Sequence, residues 1–145
     1  MRSADIPLSL YVHWPWCVRK CPYCDFNSHA LTSSNDPSHQ YINALIHDLK
    51  HSIAHAQNRE LISIFIGGGT PSLIAPQELE RFLETVFSHF KIASDVEITL
   101  EANPGTVDTA HFKAYRSIGI NRLSMGIQSF NDELLKRLGR IHNSE

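Results

Sequence analysis

Cys17, Cys21 and Cys24 are the only cysteines in the chain, and they share one short loop with the spacing CxxxCxxC. Thiolates that close in sequence can converge on one small object. A closed structural zinc site takes four nitrogen or sulfur ligands, and three thiols alone leave one place open. A [4Fe–4S] cube held by thiolates at three corners leaves its fourth iron free to bind something else. The spacing therefore points to an open cluster, a chemical site rather than a staple. Zinc stays an alternative, because His13 or His29 could complete a three-cysteine, one-histidine set. A disulfide is disfavoured by the odd number of thiols and the shortness of the loop.

The elements that must position this loop are legible on both sides of it. Residues 8–13 (LSLYVH) alternate with the period of a strand, and Pro15 stops it. Asp36 and Pro37 have the chemistry of a helix start. The helix carries one apolar stripe of Tyr41, Ile42, Leu45, Ile46, Leu49 and Ile53. His47, His51 and His55 recur four apart, a spacing that can hold a metal. No carboxylate brackets them and they lie off the apolar stripe, so a solvated face is expected.

Residues 61–66 (LISIFI) predict a strand buried on both faces of a parallel sheet, running straight into Gly67, Gly68, Gly69, Thr70 and Pro71. Pro76 opens a helix whose Leu79, Phe82, Leu83, Val86, Phe87 and Phe90 form a core stripe. A strand over 95–100 ends at Glu101. A helix from Asp108 stops at Gly119, a strand over 121–126 leads to Gln128, and Leu134, Leu135 and Leu138 mark a last helix from Asn131. Strand and helix thus alternate four times, which predicts an α/β fold with parallel strands and right-handed crossovers. A closed barrel of this kind takes ~250 residues. Residues 1–145 are therefore expected to form the first part of a partial (β/α) barrel, ending at an unpaired sheet edge.

Composition narrows the function class. The 42% hydrophobic and 19% charged fractions belong to a globular chain about one domain long. A net charge of −2 supplies no basic field for nucleic acid. Residues 1–7 lack the apolar core of a signal peptide, and no apolar run reaches the ~20 residues of a membrane span. A cytoplasmic setting, where thiols stay reduced, is the expectation. In α/β sheets and barrels, sites gather at the carboxyl ends of the strands. The cysteine loop, the glycine run, Glu101 and Gln128 follow the four strands in turn, so one pocket is expected to hold them all.

The stretches YVHWPWCVRKCPYCDFN, IFIGGGTPS, EITLEANPG and RLSMGIQSF, in that order, resemble the radical S-adenosylmethionine (SAM) superfamily. The resemblance runs from Leu8 to about Ile141. It is narrowest to the branch holding oxygen-independent coproporphyrinogen III oxidase and the HemW-type haem chaperones. It implies that Cys17, Cys21 and Cys24 ligate a [4Fe–4S] cluster whose open iron SAM chelates. It further implies that Gly68 contacts this SAM, that Glu101 accepts from its ribose hydroxyls and that Tyr11 lies beside it. The oxidase binds a second SAM, whose contacts match Tyr23, Gly69, Thr70, Gln128 and Arg140, with Tyr23 standing where the oxidase usually has phenylalanine. The chemistry implied is one-electron cleavage of SAM, fed by a donor such as flavodoxin or ferredoxin, and hydrogen abstraction from a substrate. Arg19 and Lys20 either raise the local potential or are solvated loop cations.

One position divides the branch. The oxidase resembles CxxxCxxCxC, and here the residue two after the triad is Phe26. The run from Cys24 to Ala30, CDFNSHA, is similar to the chaperones. The expected function is a haem chaperone passing haem to an acceptor protein. Decarboxylation of coproporphyrinogen III is the alternative, and a zinc-stapled binding module the third reading. The resemblance leaves open whether SAM is cleaved and the protein an enzyme. The branch's haem-ligand motif, a His-Asn pair followed by Tyr-Trp, is expected beyond Glu145.

Overall fold

A computed structural model describes residues 6–32 and 36–144. The expectations for residues 1–5 lie outside the described residues, as does part of the stretch over 30–36, whose turn-forming and polar residues read as a turn in the sequence. Four strands, β1 (Leu8–Trp14), β2 (Glu60–Gly68), β3 (Lys91–Ala102) and β4 (Arg122–Met125), form one sheet. They lie side by side in chain order, and every pairing is parallel. Four helices follow them: α1 (Ser38–Ser52), α2 (Pro76–His89), α3 (Thr109–Ser117) and α4 (Asp132–Arg137). This is the α/β order the sequence predicts, with β1 and β4 as edges.

The helices cover one face of the sheet. Ile42 and Leu49 of α1, Leu79, Phe82, Leu83 and Val86 of α2 and Tyr115 of α3 bury against Val12, Leu61, Ile64, Ile66, Ile98 and Leu100. A buried aliphatic or aromatic side chain of this size contributes roughly 1.5–3 kcal/mol, so this face holds the fold. The opposite face is polar. Register places Ser9, Ser63 and Glu97 in one row and Tyr11, Phe65, Thr99 and Arg122 in the next. Ser63 donates to Ser9 at 2.8 Å, and Arg122 Nη1 donates to the Thr99 hydroxyl at 3.2 Å.

The expectation that β2 is buried on both faces is corrected. Leu61, Ile64 and Ile66 are buried, but Phe65 is half-buried on the polar face and Ile62 is 45% exposed. Ile62 stands where the register jumps, with Leu61 opposite Ile92 and Ser63 opposite Glu97. The same jump explains why β3 begins at Lys91 rather than at residue 95. Residues 93–96 bulge out of the ladder with Ser94 and Asp95 exposed, and a bulge of polar residues imitates a strand start.

Helix entries follow side-chain chemistry. The expected cap at Asp36 is corrected: the N-cap of α1 is Pro37, which has no side-chain cap, and Asp36 sits one residue before it, its Oδ1 accepting from the Ser38 N–H at 2.9 Å and the Ser38 hydroxyl at 2.6 Å. Asp108 accepts from the His111 N–H at the start of α3, and Asn131 from the Leu134 N–H at the start of α4. His47, His51 and His55 are exposed, as their position off the stripe requires. Phe87, placed by periodicity in the core of α2, is 40% exposed. In α4 only Leu135 is buried, and Leu134 is 47% exposed.

Tyr115 reaches from α3 to the turn after β2. Its hydroxyl donates towards the Ser72 and Ile74 carbonyls, both at 3.0 Å, and burial pushes its pKa up to about 12. Ser72 Oγ in turn lies 2.6 Å from the Thr106 hydroxyl and accepts from the Asn103 N–H at 3.3 Å. The loops leaving β2 and β3 are thereby locked to each other before they reach the site.

Candidate functional site

The cysteine loop is closed at its base by a two-residue parallel ladder of Trp16–Cys17 with His29–Ala30. His29 N–H donates to Pro15 O at 2.7 Å and Leu31 N–H to Cys17 O at 2.9 Å. Inside the loop, Cys24 N–H donates to Cys21 O, and Lys20 Nζ donates to the Phe26 and Ser28 carbonyls, both at 3.1 Å. Lys20 is thus a clip across the loop rather than a free cation. Ser28 is buried, with its hydroxyl 3.9 Å from Cys24 Sγ.

The second loop is stitched to the first through the main chain. Gly69 N–H donates to Trp14 O at 2.6 Å and Thr70 N–H to Trp16 O at 2.8 Å. A Cβ on Gly69 would stand 2.6 Å from the Trp16 carbonyl oxygen, so only glycine allows this approach. Gly68 has φ +115°, a conformation side chains resist, and its N–H donates to Glu101 Oε2 at 3.1 Å. The three N–H groups of 68–70 are therefore engaged within the chain. The Thr70 carbonyl is taken too, accepting from the Leu73 N–H at 3.0 Å, which leaves the Gly69 carbonyl and the Thr70 hydroxyl for a ligand.

One open cavity of about 310 Å³ lies over these loops, within the ~300–1,000 Å³ usual for small-molecule sites. It brings together Cys17, Cys21, Cys24, Tyr23, Gly68, Gly69, Thr70, Glu101, Gln128 and Arg140. The four strand ends thus supply one pocket, as their order in the sequence predicts. Gln128 reaches it from a left-handed backbone, φ +69°. Arg140 anchors there through Nη2, which donates to Gly126 O at 2.6 Å.

Tyr11 is placed differently. It does not line the cavity; it is 59% exposed on the polar face, with its ring 6.3 Å from that of Phe65. Burial, and secondarily the Glu101 charge, raises its phenol above the usual range. Tyr11 is therefore not a core residue. Its hydroxyl lies 2.9 Å from His13 Nδ1, while His13 Nε2 lies 2.9 Å from Asn27 O. Because a carbonyl only accepts, Nε2 carries the proton and Nδ1 accepts from Tyr11. Both imidazole nitrogens are taken, which removes His13 as a fourth zinc ligand. Among the described residues, no three His, Cys, Asp or Glu side chains gather closely enough for a single metal ion.

Sequence reasoning missed several residues of this site. Asn103, Ser124 and Met125 also line the cavity, beside Arg19 and Phe26, which the sequence singles out for other reasons. Asn103 lies inside the EANPG stretch, where its position just after Glu101 was the available signal. Ser28, Ser72 and Tyr115 carry no such signal, since their roles arise from contacts across long sequence separations.

A family model described as the radical SAM superfamily matches residues 11–145. This chain belongs to the radical SAM superfamily. Its sheet is that of the N-terminal part of the radical SAM barrel: a solved structure of coproporphyrinogen III oxidase (HemN) from Escherichia coli, a radical SAM enzyme, superposes with a TM-score of 0.89 at 31% identity. That match covers 98% of this chain and 32% of the other. The heme chaperone HemW of Escherichia coli (strain K12) is 54% identical over 139 residues, 96% of this chain and 36% of that protein. The heme chaperone HemW of Haemophilus influenzae is 55% identical over 142 residues, covering 95% and 37%. The chain spans about a third of the length of these relatives.

Radical SAM membership implies a [4Fe–4S] cluster and SAM. The donors present fit both. Three soft thiols and no further cysteine face one cavity, and thiolate is the ligand such clusters take. In the same cavity Glu101 keeps Oε1 without a hydrogen-bond partner among the described residues while Oε2 holds Gly68, an acceptor suited to sugar hydroxyls. No described helix is long and apolar enough to cross a membrane.

Proposed function

We propose that this chain is the N-terminal part of the core domain of a cytoplasmic haem chaperone that binds a [4Fe–4S] cluster and SAM and delivers haem to an acceptor protein. The observation that carries this reading over an oxidase is Phe26. It occupies the position where the oxidase pattern has a further cysteine, it is 60% exposed and it is one of the residues that line the cavity. The similarity to two heme chaperones at more than half identity supports it.

In this reading Cys17, Cys21 and Cys24 hold the cluster, and Gly68 and Glu101 receive the SAM. When bound and reduced, the cluster supplies the single electron that radical SAM chemistry requires. The chain's own residues do the positioning. Glu101 Oε2 fixes the Gly68 N–H and leaves Oε1 to accept from the ribose. The Gly69 and Thr70 N–H bonds to Trp14 and Trp16 hold the glycine loop against the cysteine loop, so the two sites keep one spacing. Tyr23, Thr70, Gln128 and Arg140 give the cavity its remaining polar lining, where the oxidase pattern places a second SAM.

The structural likeness to coproporphyrinogen III oxidase keeps a second reading, radical decarboxylation of that substrate. Full-length protein, prepared without oxygen, is incubated with coproporphyrinogen III, SAM and a low-potential reductant, and in parallel titrated with haem. Stoichiometric haem uptake without porphyrin product, followed by transfer to apo-acceptor, is the expected result. Conversion of coproporphyrinogen III would replace the chaperone reading with the oxidase.

A further inference from the structure

Arg140 approaches one of the three cysteines and not the other two. Its Nη1 lies 3.6 Å from Cys21 Sγ and 3.5 Å from the Tyr23 hydroxyl, while Nη2 is tied to Gly126 O. Its Nε is buried without a partner, and among the described residues no carboxylate forms an ion pair with it. Where the guanidinium meets the sulfur, no carboxylate among the described residues offsets its charge. The Tyr23 hydroxyl accepts from the same Nη1.

We propose that Arg140 raises the reduction potential of the cluster by donating from Nη1 to the sulfur of Cys21, an asymmetric adjustment of one corner out of three. This rests on the reading of the three cysteines as cluster ligands. Reduction adds one electron, taken from a low-potential one-electron donor, and that charge spreads onto the sulfurs. A cation and a hydrogen-bond donor at a sulfur stabilise the reduced form more than the oxidised one, which raises the potential. The device spans the chain: Cys21 and Arg140 are 119 residues apart. The cluster is thus tuned only when the segment after α4 is docked. Arg140 is held there by its bond to Gly126 O and by the Arg140 N–H bond to Leu135 O at 2.9 Å.

The test is an anaerobic redox titration of full-length protein without SAM, following the EPR signal of the reduced cluster, after iron and sulfide have been measured on each sample. Arg140→Gln removes the charge, and Arg140→Lys keeps the charge but loses the fork. At the wild-type midpoint, Arg140→Gln is expected to lower the reduced-to-oxidised ratio about tenfold, a shift of 59 mV to lower potential for one electron. Arg140→Lys should fall between Arg140→Gln and wild type. Because it keeps the charge, Arg140→Lys keeps the proposal decidable even if Arg140→Gln loads poorly. Midpoints equal to wild type would overturn it. So would a loss of SAM stoichiometry with an unmoved potential, which would assign Arg140 to a second SAM instead. Wild-type protein holding no iron and sulfide would instead refute the cluster reading itself.

Discussion

Gly68→Ala tests whether the glycine loop is held where the site needs it. Two separate costs meet at this residue. A non-glycine residue at φ +115° is strained by about 1–3 kcal/mol. The new Cβ would also lie 2.7 Å from the His13 ring and 2.8 Å from the Trp14 carbonyl oxygen. The ring cannot turn away freely, because Tyr11 and Asn27 hold its two nitrogens with hydrogen bonds of about 1 kcal/mol net each. The carbonyl is main chain and already accepts from Gly69. Overpacking of this kind costs about 1–3 kcal/mol. Together the variant should lose about 2–6 kcal/mol, a large part of the ~5–15 kcal/mol that holds a domain folded. Urea unfolding of cluster-free full-length protein reads this as a midpoint lowered by about 1 M or more at unchanged slope. Lys50→Ala, on the exposed side of α1, serves as control and should stay within about 0.5 kcal/mol. A Gly68→Ala midpoint inside the control's margin would refute the reasoning.

Tyr115→Phe leaves the Ser72 and Ile74 carbonyls without their buried donor and should cost about 1–3 kcal/mol in the same assay; an unchanged midpoint would show that the turn after β2 does not need it. Glu78 bridges α1 and α2: hydrogen bonds from His39 and then Arg81 hold its carboxyl below the usual range against the opposing effect of burial. A depressed folded pKa stabilises above the ordinary carboxylate range and is lost as pH falls through it. The gap in unfolding midpoint between wild type and Glu78→Gln should therefore be present at neutral pH and close in acid, and a gap independent of pH would count against the bridge.

The order of elements was legible because each has a local signature. The α2 stripe, Pro76, and the Asp108 and Asn131 caps act within a turn or two of chain, and their elements begin where those signals place them. The convergence of four strand ends on one cavity was legible for a related reason, since parallel α/β order dictates it. What failed was long-range. The half-exposed Phe65 and Tyr11 depend on a sheet face that the helices of this chain do not cover, which no local pattern records. The early start of β3 depends on pairing with Glu60 and Leu61. Lys20 looked like a solvated cation until its two carbonyl partners came round the loop. The contact of Arg140 with Cys21 has no sequence signal other than family kinship.

The central claim is that Cys17, Cys21 and Cys24 hold an iron–sulfur cube open at one corner. Its most direct test is the iron, acid-labile sulfide and zinc content of full-length protein purified without oxygen. About four irons and four sulfides per chain, lost together when the three cysteines are replaced by alanine, is the expected result. Zinc bound without acid-labile sulfide would contradict it.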